Sequence, residues 1–421
     1  MLHSVRLQNF RSFEDTNTIE LRKLNVLIGA NNAGKTSFLS AVELFLRSLK
    51  GAGGRGGPLA FDEMASFASF DSVLRRHWSP SEQRPHEFVL SCSMKSGKQP
   101  EIGYEFTCSG QPKDNTSYVS RAAYRVGESK LIARFERMSK NKNQYQIRVD
   151  NRTIALIEPL FFHSLVPLSL YSKRPKLIRS LLSTHRPVDL EVVNPYRPVP
   201  RSFYVLDDPS LALEDRELLA FLLRIWSADD ERQRRVRDRV VSNLQTLGLA
   251  RQFGIAQVSK RFGPKVIEIR VAPTILRHRV TIADAGFGLS QALPLVAYDA
   301  RLIKGYFIAY QPEVHLHPFA QSRLADIFAG SVGRGNQLFI ETHSPDLILR
   351  LQAKVARKEL SARDVRIFCF ENRRGRSQIM SVDFNGKGSP TMPWPSGFLD
   401  TSLNLARELV SERQKRGKNV S

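Results

Sequence analysis

Cysteine is scarce in this chain: Cys92, Cys108 and Cys369 are odd in number, far apart and without CxxC spacing. That argues against a disulfide framework and a cysteine zinc site, and it suits a reducing, cytoplasmic setting. Long apolar runs are missing as well. No stretch approaches the ~20 residues that span a bilayer, so no membrane contact is expected. The opening MLHSVRLQNFRSFEDTNTIE alternates apolar positions with charge and reads as a strand, not a targeting peptide. Acid is in deficit: 41 Asp and Glu stand against 63 Lys and Arg, a net charge of +22. A surplus of that size draws polyanions and points to contact with nucleic acid, directly or within a complex; a basic but merely soluble protein that docks an acidic partner is the plainer alternative. Internal repeats and sustained heptads are absent, which excludes a solenoid and a long coiled-coil arm. No zinc-finger, RRM or helix-turn-helix pattern occurs. Any nucleic-acid contact is therefore with backbone phosphates and nonspecific in sequence.

What remains is an ordinary globular composition, 42% hydrophobic and 25% charged over 421 residues, long enough for two or more lobes. Leu24 to Ile28 is a continuous apolar strand ending in Gly29, and the spacing of Phe38, Leu39, Val42, Leu46 and Leu49 predicts a helix over 35–49. The Gly-rich GAGGRGGP that follows reads as a linker. Between Glu87 and Asp150 five short alternating runs, parted by turn-formers and charge, predict an antiparallel meander. From Ile154 to Leu249 the pattern turns helical, broken by a proline-rich basic stretch near Pro187–Pro200. The last third alternates helix and strand, with strands at Tyr306–Tyr310, Gln337–Glu341 and Val365–Phe370. Both ends of the chain thus build one mixed α/β nucleotide-binding core.

The sharpest motif is Gly29-Ala30-Asn31-Asn32-Ala33-Gly34-Lys35-Thr36, which meets GxxxxGK[ST] at every fixed position and continues into Ser37. A buried strand precedes it and an amphipathic helix follows. Phosphate binding needs that arrangement: backbone N–H groups and the helix N-terminus wrap the β-phosphate, Lys35 bridges β- and γ-phosphates, and the Thr36 hydroxyl ligates Mg²⁺. ATP and Mg²⁺ are the cofactors it implies.

Basic residues gather in the middle. Asp229, Asp230 and Glu231 precede Arg232, Arg234, Arg235, Arg237 and Arg239 in a segment that reads as one helix, acids first, as the helix dipole favours. Lys173, Arg174, Lys176 and Arg179 form a second cluster, and Arg75, Arg76 and Lys95 extend the candidate track. A solvated helix face is the plainer reading of any one of these arginines.

Three later segments resemble, in order, the motifs of the RecF, SMC and OLD-type ATPases. Asp284-Ala-Gly286-Phe-Gly288-Leu-Ser290-Gln291 is similar to their signature loop, Tyr310-Gln311-Pro312-Glu313-Val-His315-Leu-His317-Pro318 to their extended Walker B segment, and Glu341-Thr342-His343-Ser344-Pro345 to their switch-histidine segment. The opening VRLQNFRSF with Arg11 resembles how these proteins begin, and Pro393–Phe398 resembles the tail of bacterial AAA15/AAA21-type ATPases. The resemblance implies an α/β ABC-like ATPase head: a P-loop mixed sheet with an antiparallel β-meander lobe and a mainly helical insertion. Heads of this kind dimerise face to face, ATP on one P-loop being closed over by the partner's signature loop. Gly288 and Ser290 would reach the γ-phosphate there, and His343 would sense it. The expected division is residues 1–150 and 251–421 for the two halves of the head, with 151–250 the basic insertion.

One departure bears on turnover. A hydrolytic Walker B strand ends in a carboxylate that holds the Mg²⁺ water shell, and a following Glu activates the attacking water. Here those positions are Tyr310 and Gln311, while Glu313 survives two residues on and Glu341 ends the next strand. Glutamine orients a water but cannot take its proton, so the sequence predicts tight ATP binding and slow turnover, with Gln311, Glu313 and His343 the residues nearest the chemistry. The motif set resembles the ATPase components of the two-gene anti-phage systems Septu and PARIS, which hold and control a separate nuclease of HNH or TOPRIM type. No spaced acidic cluster follows the last core strand, so the nuclease is expected on another chain. A RecF-like repair ATPase and a scaffold with purely structural ATP are the alternatives.

Overall fold

The computed structural model describes residues 1–50, 59–61, 64, 70–74, 86–95, 97, 100–111, 116–127, 130–139, 142–149, 152–155, 162–163, 165–167, 188–197, 199–258, 265–274, 278–394, 398 and 408. The Gly-rich linker, Arg75, Arg76 and the Lys173–Arg179 cluster lie outside them.

The chain opens with β1 (Leu2–Phe10), β2 (Phe13–Asp15) and β3 (Ile19–Glu20), then β4 (Leu24–Gly29) and α1 (Lys35–Lys50). The alternating runs that follow are β5 (Glu87–Met94), β6 (Ile102–Gln111), β7 (Thr116–Val126), β8 (Lys130–Ser139), β9 (Lys142–Val149) and β10 (Arg152–Ala155), each antiparallel to the last. β5 also pairs with β1, so the meander and the first three strands make one nine-stranded sheet among the described residues. Two short strands, β11 (Phe162–His163) and β12 (Val166–Pro167), pair with each other.

The segment read as helical divides differently in its second half. β13 (Leu190–Val193) and β14 (Tyr204–Val205) precede α2 (Leu213–Ser227) and α3 (Glu231–Thr246), and β15 (Ala250–Gln257), β16 (Val266–Pro273) and β17 (Val280–Thr281) follow. The last third supplies α4 (Phe287–Arg301), β18 (Tyr306–Tyr310), α5 (Pro318–Gly333), β19 (Gln337–Glu341), α6 (Pro345–Ala356), β20 (Val365–Arg373) and β21 (Arg376–Val382). The core sheet runs β13-β18-β19-β4-β20-β21, parallel except for β21. β13 therefore belongs to the head. Its parallel register on β18 covers an otherwise open edge, and Arg301 of α4 donates to Glu191 at 2.7 Å. The β20–β21 hairpin turns through Arg374 and Gly375, both with positive φ, as a tight two-residue turn requires.

The parallel strands sort their side chains with period two. Leu24, Val26, Ile28, Phe307, Ala309, Leu338, Ile340, Val365, Ile367 and Cys369 face the helical layer. Leu27, Ile308, Tyr310, Phe339, Phe368 and Phe370 face α1 and the meander. All three cysteines are buried and unpaired. Among the described residues no helix is long and apolar enough to cross a membrane.

Candidate functional site

Glycine is obligatory at two points of the loop between β4 and α1. Gly29 has φ +141°, and a Cβ there would fall 2.2 Å from the carbonyl oxygen of Phe370. Gly34 has φ +104°, and a Cβ would lie 2.7 Å from Ser377 Oγ and 2.9 Å from Phe13 Cζ. The loop is thus pressed against β20 and β21. Asn31 and Asn32 are exposed at its rim, Asn32 in the left-handed region, while Ala33 is buried beneath them. Lys35, only 3% exposed, curls back so that Nζ donates to the carbonyls of Gly29 (3.0 Å) and Ala30 (2.8 Å). Burial lowers its pKa, with Glu341 and Glu313 acting against that. Ser37 lies in the first turn of α1, where helix geometry leaves amides without intrahelical partners.

Two buried carboxylates meet this loop. Glu341 ends β19 and accepts the Thr36 hydroxyl on both oxygens, at 2.8 and 2.9 Å. Glu313 accepts the His343 backbone N–H on Oε1 at 2.6 Å, while its Oε2 is buried without a partner. Burial raises the pKa of both. The His343 side chain is exposed, and partial burial with Lys35 nearby lowers its pKa. Gln311 turns the chain out of β18 in the left-handed region (φ 45°), its N–H on the carbonyl of Glu341 at 2.8 Å. Lys35, Thr36, Gln311, Glu313 and His343 are therefore brought together at one end of the parallel sheet. Tyr310 goes elsewhere: its hydroxyl donates to Glu43 on α1 at 2.7 Å, and Glu43 pairs with Arg47 at 2.7 Å.

The signature residues form a separate group. α4 starts after Gly286 (φ 92°), and Ser290 Oγ bonds its own Phe287 carbonyl at 2.8 Å. Gly288 is packed close: a Cβ would sit 3.0 Å from the carbonyl oxygen of His315. Phe287, 40% exposed, meets the His315 ring edge to face. His317 and Ser344 are helix N-caps, accepting from Phe319 N–H and Leu347 N–H.

Arg197, which no spacing pointed to, joins the two groups. Its guanidinium donates to the carbonyl of Gln291 on α4 (2.8 Å) and to that of Gln311 (3.3 Å). Burial pushes its pKa down to about 10, opposed by Glu313. The only sequence signal was an arginine inside the proline-rich NPYRPVP. Of the basic helix, Arg232, Arg234 and Arg235 are exposed, but Arg239 donates to the carbonyl of Ala300 at 2.8 Å and serves the packing of α3 on α4.

Chemically, the loop suits a triphosphate with magnesium. With its neighbours it offers a buried ammonium, the amides of a helix start, a hydroxyl and, on Glu313, a carboxylate oxygen without a partner. Among the described residues no three His, Cys, Asp or Glu side chains group as a metal cage. A cation here would share phosphate oxygens with one or two protein groups, which is the habit of Mg²⁺.

Fold and site together define a mixed α/β ATPase head. The family model for the AAA ATPase domain (AAA_15) matches residues 1–157 and 240–348. The chain belongs to that family. ATPase families of this type bind ATP, generally with Mg²⁺. A curated relative, an ATP/GTP phosphatase of Helicobacter pylori (strain ATCC 700392 / 26695), is 45% identical over 42 residues, a match covering 10% of this chain and 11% of that protein. Among solved structures, the fold is similar to an SMC head bound to the C-winged helix domain of ScpA, with TM-score 0.51 and 13% identity over 91% of this chain and 97% of that one. A head domain from Thermotoga maritima covers 90% of this chain and 98% of its own, at 10% identity and TM-score 0.43. At such identities the likeness is one of fold alone.

Proposed function

We propose that this ATPase head binds Mg²⁺·ATP at the 29–37 loop and uses it as a clamp between two copies of itself, with slow turnover. When bound, the nucleotide supplies a triphosphate with more acceptor oxygens than one protein surface satisfies. The observation that carries the reading is Lys35, a buried ammonium held by two loop carbonyls behind a glycine that tolerates no side chain. Lys35 and the helix-start amides bind the phosphates of one nucleotide. Gly288 and Ser290 of a second copy close over it, and His343 responds to the γ-phosphate. Gln311 orients a water without accepting its proton, and Glu313 holds the His343 backbone in place. Loss of a general base costs about 10²–10⁴-fold in rate, which makes ATP a latch more than a fuel.

The finer reading is that the clamp assembles and controls a separate nuclease in a bacterial anti-phage system. Its support is the resemblance of the ordered motifs to the Septu and PARIS ATPases. The net charge of +22 and the exposed arginines of α3 favour a nonspecific nucleic-acid contact in the same complex. Purified protein should bind ATP, double in mass with it, and leave it largely intact over an hour. No ATP binding, or an unchanged mass, overturns the clamp. Ordinary turnover would make Glu313 or Glu341 a base and overturn the latch. Co-purification from the native operon tests the nuclease, which should come down only when ATP is present.

A further inference from the structure

We propose that Glu341 is the carboxylate of the Mg²⁺ site, orienting the Thr36 hydroxyl and accepting from the cation's water shell. The inference rests on the ATP-binding reading and deepens it. Tyr310 and Glu341 are register partners on adjacent parallel strands, so their side chains stand side by side on the face that α1 covers. They meet α1 at different heights. Tyr310 reaches Glu43, nearly two turns beyond the phosphate loop, and Glu43 is in turn tied to Arg47. Glu341, next to β4, reaches Thr36 in the first turn.

The hydroxyl geometry gives the second argument. A threonine hydroxyl has one proton and two acceptor lone pairs. With its proton directed to Glu341, the lone pairs of Thr36 are left for a cation. The carboxylate is 3% exposed. A purely structural link between β19 and α1 is made equally well by a glutamine, without the cost of burying a charge. Of the other carboxylates on this side, Glu43 holds Tyr310 and Arg47, while Glu313 holds the His343 N–H on Oε1 and leaves Oε2 unpartnered; the Thr36 hydroxyl bonds neither of them.

The test is ATP affinity by calorimetry, in excess Mg²⁺ and in EDTA, for wild type and Glu341→Gln. Groups that orient metal ligands are worth about 10–100-fold in metal affinity, so the tightening by Mg²⁺ should shrink at least about tenfold in the variant. In EDTA the same variant should bind ATP as well as wild type or better, because a negative charge beside the phosphates is gone. A link that is only structural would weaken both. Manganese titration of the ATP complex by electron paramagnetic resonance should show the matching loss of bound metal. Glu43→Gln should keep the full Mg²⁺ effect. If Glu341→Gln keeps it, or Glu43→Gln loses it, the inference is overturned while ATP binding stands. Should Glu341→Gln not fold, Glu341→Asp decides: a retracted carboxylate should still lose part of the Mg²⁺ effect, and an undiminished one overturns the inference. A wild type that binds no ATP in either buffer would instead sink the ATP-binding reading itself.

Discussion

The phosphate loop and the signature helix are both built on glycine, yet they are finished to different degrees. The loop is satisfied from within the chain: Lys35 rests on its own carbonyls, Thr36 on Glu341, and Gly34 against Ser377. At the start of α4, Ser290 turns its hydroxyl onto the preceding turn and Phe287 stands 40% exposed. Arg197 links the two through backbone carbonyls. The difference fits the proposed clamp, in which the loop receives a nucleotide and the signature helix meets a second copy.

The largest expected effect breaks the finished half. Lys35→Ala removes hydrogen bonds to two phosphates, each worth about 1.5–3 kcal/mol when charged, so ATP affinity should fall by roughly 10²-fold or more in calorimetry. Unchanged affinity would show that the loop does not hold the triphosphate. Gln311→Glu sharpens the contrast between binding and turnover. It restores a base, and phosphate release should rise by up to about 10²-fold; no rise would mean that the remaining geometry, not the missing base, limits the rate.

Ser290→Arg attacks the open half alone. Its nucleotide affinity as a single head should stay within about twofold of wild type, since α4 starts among His315, Leu316 and Phe287. ATP-dependent doubling of mass should disappear. An unchanged assembly would refute the face-to-face arrangement.

The last effect is on stability and not on the nucleotide, and concerns how α4 is anchored. Asp299, fully buried, accepts from Arg334 at 2.7 Å and Asn243 at 3.3 Å, yet burial still raises its pKa. Between the ordinary carboxylate pKa and that raised value, the folded state binds the extra proton. The stability Asp299 contributes is therefore present at low pH and lost as pH rises. Asp299→Asn should cost no more than about 1 kcal/mol at neutral pH, and its melting temperature relative to wild type should climb as pH rises. Arg334→Met strands the buried charge and should cost about 3–5 kcal/mol. If the two variants melt alike, the pair is not what secures the helix.

The core elements could be read because their signals are local. Continuous apolar runs became β4, β18 and β19, and glycine, lysine and threonine at fixed spacing marked the turn into α1. β13 escaped because four residues, Leu190–Val193, show no usable period, and only the bare edge of β18 makes them a strand. β21 escaped because its exposed face is polar and its pairing depends on the turn at Arg374 and Gly375. Arg197 escaped for a similar reason. A guanidinium that bonds two distant carbonyls leaves no pattern in its neighbours.

By itself the sequence determined that a phosphate loop sits between a buried strand and an amphipathic helix. It also determined that Tyr310 and Gln311 stand where a carboxylate and a base would be expected. Which acidic residue faces Thr36 was decided only by the fold. Parallel register sets residue 310 beside residue 341, and the pleat turns both toward α1. The position of β19 next to β4 then brings Glu341, and not its register partner Tyr310, to the first turn of the helix. Side-chain chemistry is written one residue at a time, but proximity between strands thirty residues apart exists only after the sheet has formed.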